Sequence, residues 1–209
     1  MERKEVSGTV RNKERSKTKF LEAVGKILKT QGFTGLKINN IASEAGVDKK
    51  MIYTYFGGLD GLMDTYIRSQ DYWSNVSTEK IQRNSKDGGK VLLKEMLYNQ
   101  FRYVHENEEL QKLLLWRLSE ERPALRKMTE LQEENGDELF KAIFDPHFGK
   151  NAEKFRAITA LLVSGLYYLN LYAVVNGSSF SGLDMQSEKG RKHVEEALSF
   201  LIDKTYEEL

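Results

Sequence analysis

Cysteine is absent from the 209 residues, which excludes disulfides, thiol nucleophiles and cysteine metal sites and suits a reducing cytoplasm. Histidine is sparse: His105, His147 and His193 are scattered, and no pair has metal-ligand spacing. The opening MERKEVSGTVRNKERSKTK has no apolar core of signal-peptide type, and no later apolar run reaches the roughly 20 residues of a membrane span. No glycine loop is equipped to cradle phosphate, since Gly57-Gly58 and Gly88-Gly89 lack the companion residues. No run alternates as a half-buried strand does, and no period repeats. Glu106, Glu108 and Glu109 read as helix-end residues, and Arg117, Glu120, Glu121 and Arg122 as surface ion pairs, so nothing marks a general acid. These absences predict an all-α, unprocessed cytoplasmic protein that is not an enzyme and holds no metal or cofactor.

What is present is unevenly distributed. The net charge is +1, but residues 1–60 hold 12 Lys and Arg against 7 Asp and Glu, and the remainder holds 20 against 24. A positive first quarter on a faintly acidic body is the electrostatic footprint of a head that meets phosphate.

Within that head, Ile38–Phe56, INNIASEAGVDKKMIYTYF, reads as two short helices and a tight turn. Ile41, Ala42 and Ala45 can face inward together, and Gly46 falls where a helix stops with positive φ. Val47 can plug the angle between the helices, and Asp48 can cap the second by accepting a backbone N–H. Ile52 and Phe56, four residues apart, give the second helix one buried stripe. The opposite face keeps Lys49, Lys50, Met51, Thr54 and Tyr55, a mixture of cations, hydroxyls and thin apolar groups suited to a DNA major groove.

The longer run GFTGLKINNIASEAGVDKKMIYTYFGGLDGL, Gly32–Leu62, resembles the head of the tetracycline-repressor-type (TetR) family of transcriptional regulators. The resemblance implies that Lys49, Lys50, Met51, Thr54 and Tyr55 face the groove and that Tyr53 contacts phosphate or packs. Two positions depart from the family pattern. Lys37 stands where a Ser or Thr often caps the first helix, and it is a poor cap that could still reach phosphate. Leu59 stands where a lysine often touches phosphate, so the backbone N–H groups near Gly57, Gly58 and Leu59 would have to make that contact.

Taken in order, residues 1–11 read as a loose arm. Arg3, Lys4, Arg11, Lys13, Arg15, Lys17 and Lys19 could reach the DNA backbone or a minor groove, or merely solubilise the tail. Phe20, Val24, Ile27 and Leu28 indicate a helix from about Asn12 to Gln31. A fourth helix restarts at Leu59, and Asn75–Gly89 reads as its end and a loop, with a chance Asn75-Val76-Ser77 glycosylation pattern. Pro123 fits the first turn of a later helix, and Asp145-Pro146 with Gly149 marks a turn. Asn151–Val175 is the most apolar long helix, and Met185–Tyr206 is the last.

The expected architecture is a three-helix head with helix-turn-helix over residues 1–57, then an antiparallel helical ligand-binding and dimerisation body over 58–209. The resemblance implies a small-molecule pocket in the body, for which Tyr66, Tyr98, Phe101, Arg102, Trp116, Tyr167 and Tyr168 are candidates. It also implies a homodimer through the last two helices, with Leu162, Leu166, Leu169, Val194, Leu198 and Leu201 as candidates. The expected partners are a palindromic operator in double-stranded DNA, a small-molecule effector and a second copy of the chain, with no membrane. A repressor released by its ligand is the first reading. The alternative is a helical effector-binding or scaffold protein whose head makes only non-specific contacts, and Lys37 and Leu59 are its support.

Overall fold

Phe20, Val24, Ile27 and Leu28 are spaced to share one helix face, and all four are fully buried along α1 (Val6–Gln31). The computed structural model describes residues 6–70 and 86–209, with side chains from Asn12 onward. Helix α1 therefore starts earlier than expected: Val6 to Arg11, read as loose arm, is helical. Residues 1–5 of that arm lie outside the described residues, as do residues 75–85 of the expected loop with its Asn75-Val76-Ser77 pattern.

The chain forms two compact units. The first is Met1–Tyr72 with Lys112–Thr129, and the second is Trp73–Gln111 with Glu130–Leu209. In the first, a 3-10 turn at Phe33–Gly35 leads into α2 (Ile38–Ala45), α3 (Lys50–Phe56) and α4 (Leu59–Ser69). Their buried residues, among them Ile41, Ile52, Leu62, Met63, Tyr66 and Ile67, share one core with Leu113 and Trp116 of α6 (Glu108–Ser119) and Leu125 and Met128 of α7 (Pro123–Leu139). The expected boundary after residue 57 thus falls inside a larger unit. Trp116 joins its parts: its ring stacks on Phe33 with centroids 5.9 Å apart and planes 5° apart, and its Nε1 donates to Glu120 Oε2 at 2.8 Å. Arg122 lies 5.0 Å from the same ring and donates from Nη2 to Asp60 Oδ1 at 2.7 Å.

The second unit is built on α5 (Lys90–Glu106), α8 (Asp145–Phe148), α9 (Ala152–Val175) and α10 (Glu188–Glu208) with the rest of α7. Phe140, Phe144, Phe148, Phe155 and Tyr206 pack ring on ring, Phe148 and Phe155 at 3.9 Å between centroids. The Tyr206 hydroxyl donates to the Gly88 carbonyl at 3.0 Å, and burial pushes its pKa up. A π turn at Phe140–Phe144 comes just ahead of Pro146, whose ring carries no N–H to return to the previous turn. Ser187 caps α10 by accepting the Gly190 N–H at 3.0 Å.

The all-α class holds with one small addition, an antiparallel hairpin of β1 (Ser179–Phe180) and β2 (Leu183–Asp184). Its turn residues Ser181 and Gly182 have φ of 51° and 79°, the sign that a tight hairpin turn requires. Strands of two residues leave no alternation to read in a sequence. Part of the helical stretch Pro123–Val175 is long and apolar enough to cross a membrane by length and composition alone, contrary to the reading of the sequence, and 28% of that window is buried. Within this unit α9 serves as a core helix: Phe155, Leu166, Leu171 and Ala173 are inside, and Asn170 donates to the Phe101 carbonyl of α5 at 3.1 Å.

Candidate nucleic-acid interface

The turn between α2 and α3 is set by local chemistry. Gly46 ends α2 with φ 60° and ψ 36°, a left-handed conformation that spares a Cβ clash, and its N–H returns to Ala42 and Ser43. Val47 packs half-buried on the head core. Asp48 Oδ1 accepts the Lys50 N–H at 2.8 Å, which satisfies one donor at the start of α3. Ile52 is then fully buried, and Phe56 meets Phe20 edge-on at 6.1 Å. The face opposite Ile52 is turned to solvent, with Lys49, Lys50, Thr54 and Tyr53 exposed, the last by 58%. Met51 and Tyr55 stand half-buried at its border.

Secondary bonds hold this face in place. Lys49 Nζ donates to Asn39 Oδ1 of α2 at 3.2 Å, which ties the two helices across the turn. Thr54 Oγ1 donates back to the Lys50 carbonyl at 3.0 Å. Lys37 precedes α2 with extended backbone and makes no capping bond, in keeping with its poor suitability, and its side chain is exposed. Asn40 Nδ2 donates to the Gly35 carbonyl at 3.0 Å, which ties the first turn of α2 to the 3-10 turn before it. Leu59 turns into the head core, so a phosphate at the start of α4 would meet first-turn backbone N–H groups, beside the Asp60 carboxylate that Arg122 engages. Ammonium groups and backbone donors suit phosphate, and hydroxyls and a thioether suit base edges.

Residues 16–65 match the family model described as bacterial regulatory proteins, tetR family. The head is similar to those of the tetR family. Three solved structures have a similar fold. A provisional fatty acid metabolism regulator of Clostridium perfringens is 18% identical, with 88% of this chain and 96% of that one covered at a TM-score of 0.59. A TetR family transcription regulator from Marinobacter aquaeolei VT8 is 17% identical over 92% and 96%, at 0.59. HlyIIR, a hemolysin II transcriptional regulator, is 18% identical over 92% and 97%, at 0.59. No curated protein sequence matches. The match over residues 16–65 gives the kind of head, and the three structures give the fold.

The expected pocket residues are divided between the two units. Tyr66 and Trp116 are core residues of the first unit. In the second, Phe101 is buried, Tyr98 donates to the Glu195 carbonyl at 3.3 Å, and Tyr167 is half-buried. Tyr168 is exposed, edge-on to Phe180 of the hairpin at 5.7 Å. Arg102, a pocket candidate, grips Glu195 in a surface pair, Nε to Oε1 at 2.8 Å and Nη2 to Oε2 at 2.9 Å, and that bond raises its pKa. A surface groove of about 620 Å³ beside Phe140 offers only Arg156 as a cation, and Arg156 is engaged by Asp137 and Asp145.

The buried polar residues of the body were missed by the sequence reading, although each interrupts an apolar stripe. Arg191 reaches inward, with Nη1 on Asn170 Oδ1 at 3.1 Å, Nη2 on the Phe101 carbonyl at 3.3 Å and its guanidinium 4.2 Å from the Phe101 ring. Burial lowers its pKa. Gln100, next in sequence to Phe101, is 3% exposed, and its Nε2 has no partner among the described residues. An orphaned buried donor costs about 1–3 kcal/mol, so Gln100→Met is expected to raise the stability of the ligand-free protein by about 1 kcal/mol. A thermal melt checks this, and a lower midpoint would mean that the amide is satisfied.

The expected dimer residues also divide. Leu166, Val194 and Leu198 belong to the protein's own core, and Leu162 and Leu169 pack half-buried against it. Leu201 is exposed. With Leu201, the large apolar side chains facing out on α9 and α10 are Leu161 at 75%, Tyr168, Val174, Val175, and Phe200 at 59%. On α9 the outward set is displaced by one residue from the expected one, a rotation of about 100° around the helix.

Proposed function

We propose that this protein is a DNA-binding regulator that works in the cytoplasm as a homodimer, occupies a palindromic operator, represses from it, and is released when a small molecule binds the body. The observation that carries the reading is the exposed Lys49, Lys50, Tyr53, Thr54 face of α3, held on a head with an excess of positive charge. A two-fold dimer places two such helices about 34 Å apart, one turn of DNA per half-site. For the pairing surface we assign Leu161 and Tyr168 of α9 with Phe200 and Leu201 of α10, large apolar groups that a monomer has no reason to leave in water. Leu161→Glu with Phe200→Glu is expected to halve the mass measured by light scattering and to weaken operator binding, with the melt of each unit preserved. A full-mass particle would move the interface elsewhere.

For release, the effector must bind the DNA-incompetent arrangement more tightly than the competent one, because equal affinity shifts nothing. The unpartnered Gln100 amide favours an effector that offers a hydrogen-bond acceptor to the body. A screen of small molecules by melt shift, followed by release of bound operator, tests this part; ligands that stabilise the protein without moving it off DNA would contradict it.

A further inference from the structure

Helix α3 has two flanks between its buried stripe and its outward face. At 100° per residue, Tyr53 and Tyr55 each fall roughly 80° from the middle of the Ile52–Phe56 stripe, on opposite sides. The Tyr53 ring lies beside Gly58, at the start of α4. The Tyr55 ring lies beside α1, where Lys13 Nζ stands 5.8 Å from its centroid. A helix seated in a major groove about 12 Å wide has a phosphate strand along each flank. The start of α4 supplies donors on the Tyr53 side. The cation on the Tyr55 side is Lys13.

Lys13 lies on the part of α1 that precedes residue 16, where the family match begins. Its side chain is exposed, and among the described residues no carboxylate lies within ion-pair distance of it. One turn along, by contrast, Lys17 is engaged by Glu14 at 3.1 Å. A lysine held loosely over an aromatic face, with no counter-charge among the described residues, is placed to exchange condensed cations for phosphate.

We infer that Lys13 is a DNA-phosphate contact of the early turns of α1, steadied over the Tyr55 ring so that its ammonium meets the backbone strand on the Tyr55 side of α3. The inference rests on the DNA-binding reading and adds to it a contact outside the helix-turn-helix. Such a contact carries charge and no sequence information.

The test uses the full-length protein and a duplex that the unaltered protein enriches from random-sequence DNA, with binding followed by fluorescence anisotropy across a salt series. Lys13→Gln keeps the stem and removes the charge. Its slope of log affinity against log salt is expected to fall by about 1.8 for the two copies in a dimer, roughly a 60-fold loss near 0.1 M salt. The loss should be equal on an unrelated duplex, Lys13→Arg should restore it, and the melting midpoint should not move. An unchanged slope on a well-bound duplex overturns the Lys13 contact alone, and so does a loss confined to the enriched duplex, which would make Lys13 a support for base reading by Tyr55. If the unaltered protein binds no duplex, the DNA-binding reading fails first and this contact with it.

Discussion

Replacing Lys49 and Lys50 together by alanine is expected to weaken DNA binding by about three orders of magnitude while leaving the head folded. Both side chains are exposed, and neither contributes to the core that buries Ile41 and Ile52. The bond lost is the one from Lys49 to Asn39, between two exposed groups, so the melt should stay within about 0.5 kcal/mol of the parent. The effect on DNA is of another order. Two lysines in each of two heads remove four phosphate-facing charges, which lowers the salt slope by roughly 3.6 and weakens binding on the order of 10³-fold near 0.1 M salt. Anisotropy titration with circular dichroism alongside separates the two effects. Binding that survives the double substitution would mean that α3 does not present this face to the duplex.

Trp116→Ala is expected to have the largest effect on stability, and to act on the head although residue 116 lies far from it in sequence. The indole is 1% exposed, stacked on Phe33, bonded to Glu120 and covered by Arg122. Removing so large a buried ring costs about 3–5 kcal/mol, equivalent to a fall of roughly 6–20 °C in the midpoint for a chain of this size. Phe33 loses its stacking partner and Glu120 its donor at the same time. The head should loosen with the rest of its unit, so DNA binding should fall at temperatures where the parent still binds. A fragment ending at residue 57 would lack Leu62, Met63, Tyr66 and Trp116 and should not hold a stable head. If Trp116→Ala melted like the parent, Lys112–Thr129 would not be integral to the first unit.

The local chemistry of the head was legible in the sequence because it follows short-range rules. Gly46 supplies positive φ, Asp48 caps within two residues, and Ile52 with Phe56 marks a face by spacing alone. The residues opposite that face could therefore be named. The extent of the unit was not legible, since Trp116 reaches Phe33 across more than eighty positions and no periodicity encodes that pairing. The same holds for Arg102 and Arg191 of the body. Arg102 was a pocket candidate whose direction spacing did not give; it pairs with Glu195 of α10, and Arg191 reaches inward to Asn170. Helix α9 exposes the limit of pattern reading most clearly. It is apolar on nearly every side, so spacing could not tell Leu166, which faces the protein's own core, from Leu161, which faces out.

Selection from a random-sequence duplex library by the purified protein at near-physiological salt decides whether the α3 face reads a defined DNA sequence. An enriched inverted repeat with half-sites about one helical turn apart is expected, lost in the Lys49→Ala, Lys50→Ala variant. Recovery of unpatterned DNA whose retention simply follows salt would contradict that expectation, and would leave a head that binds charge without reading sequence.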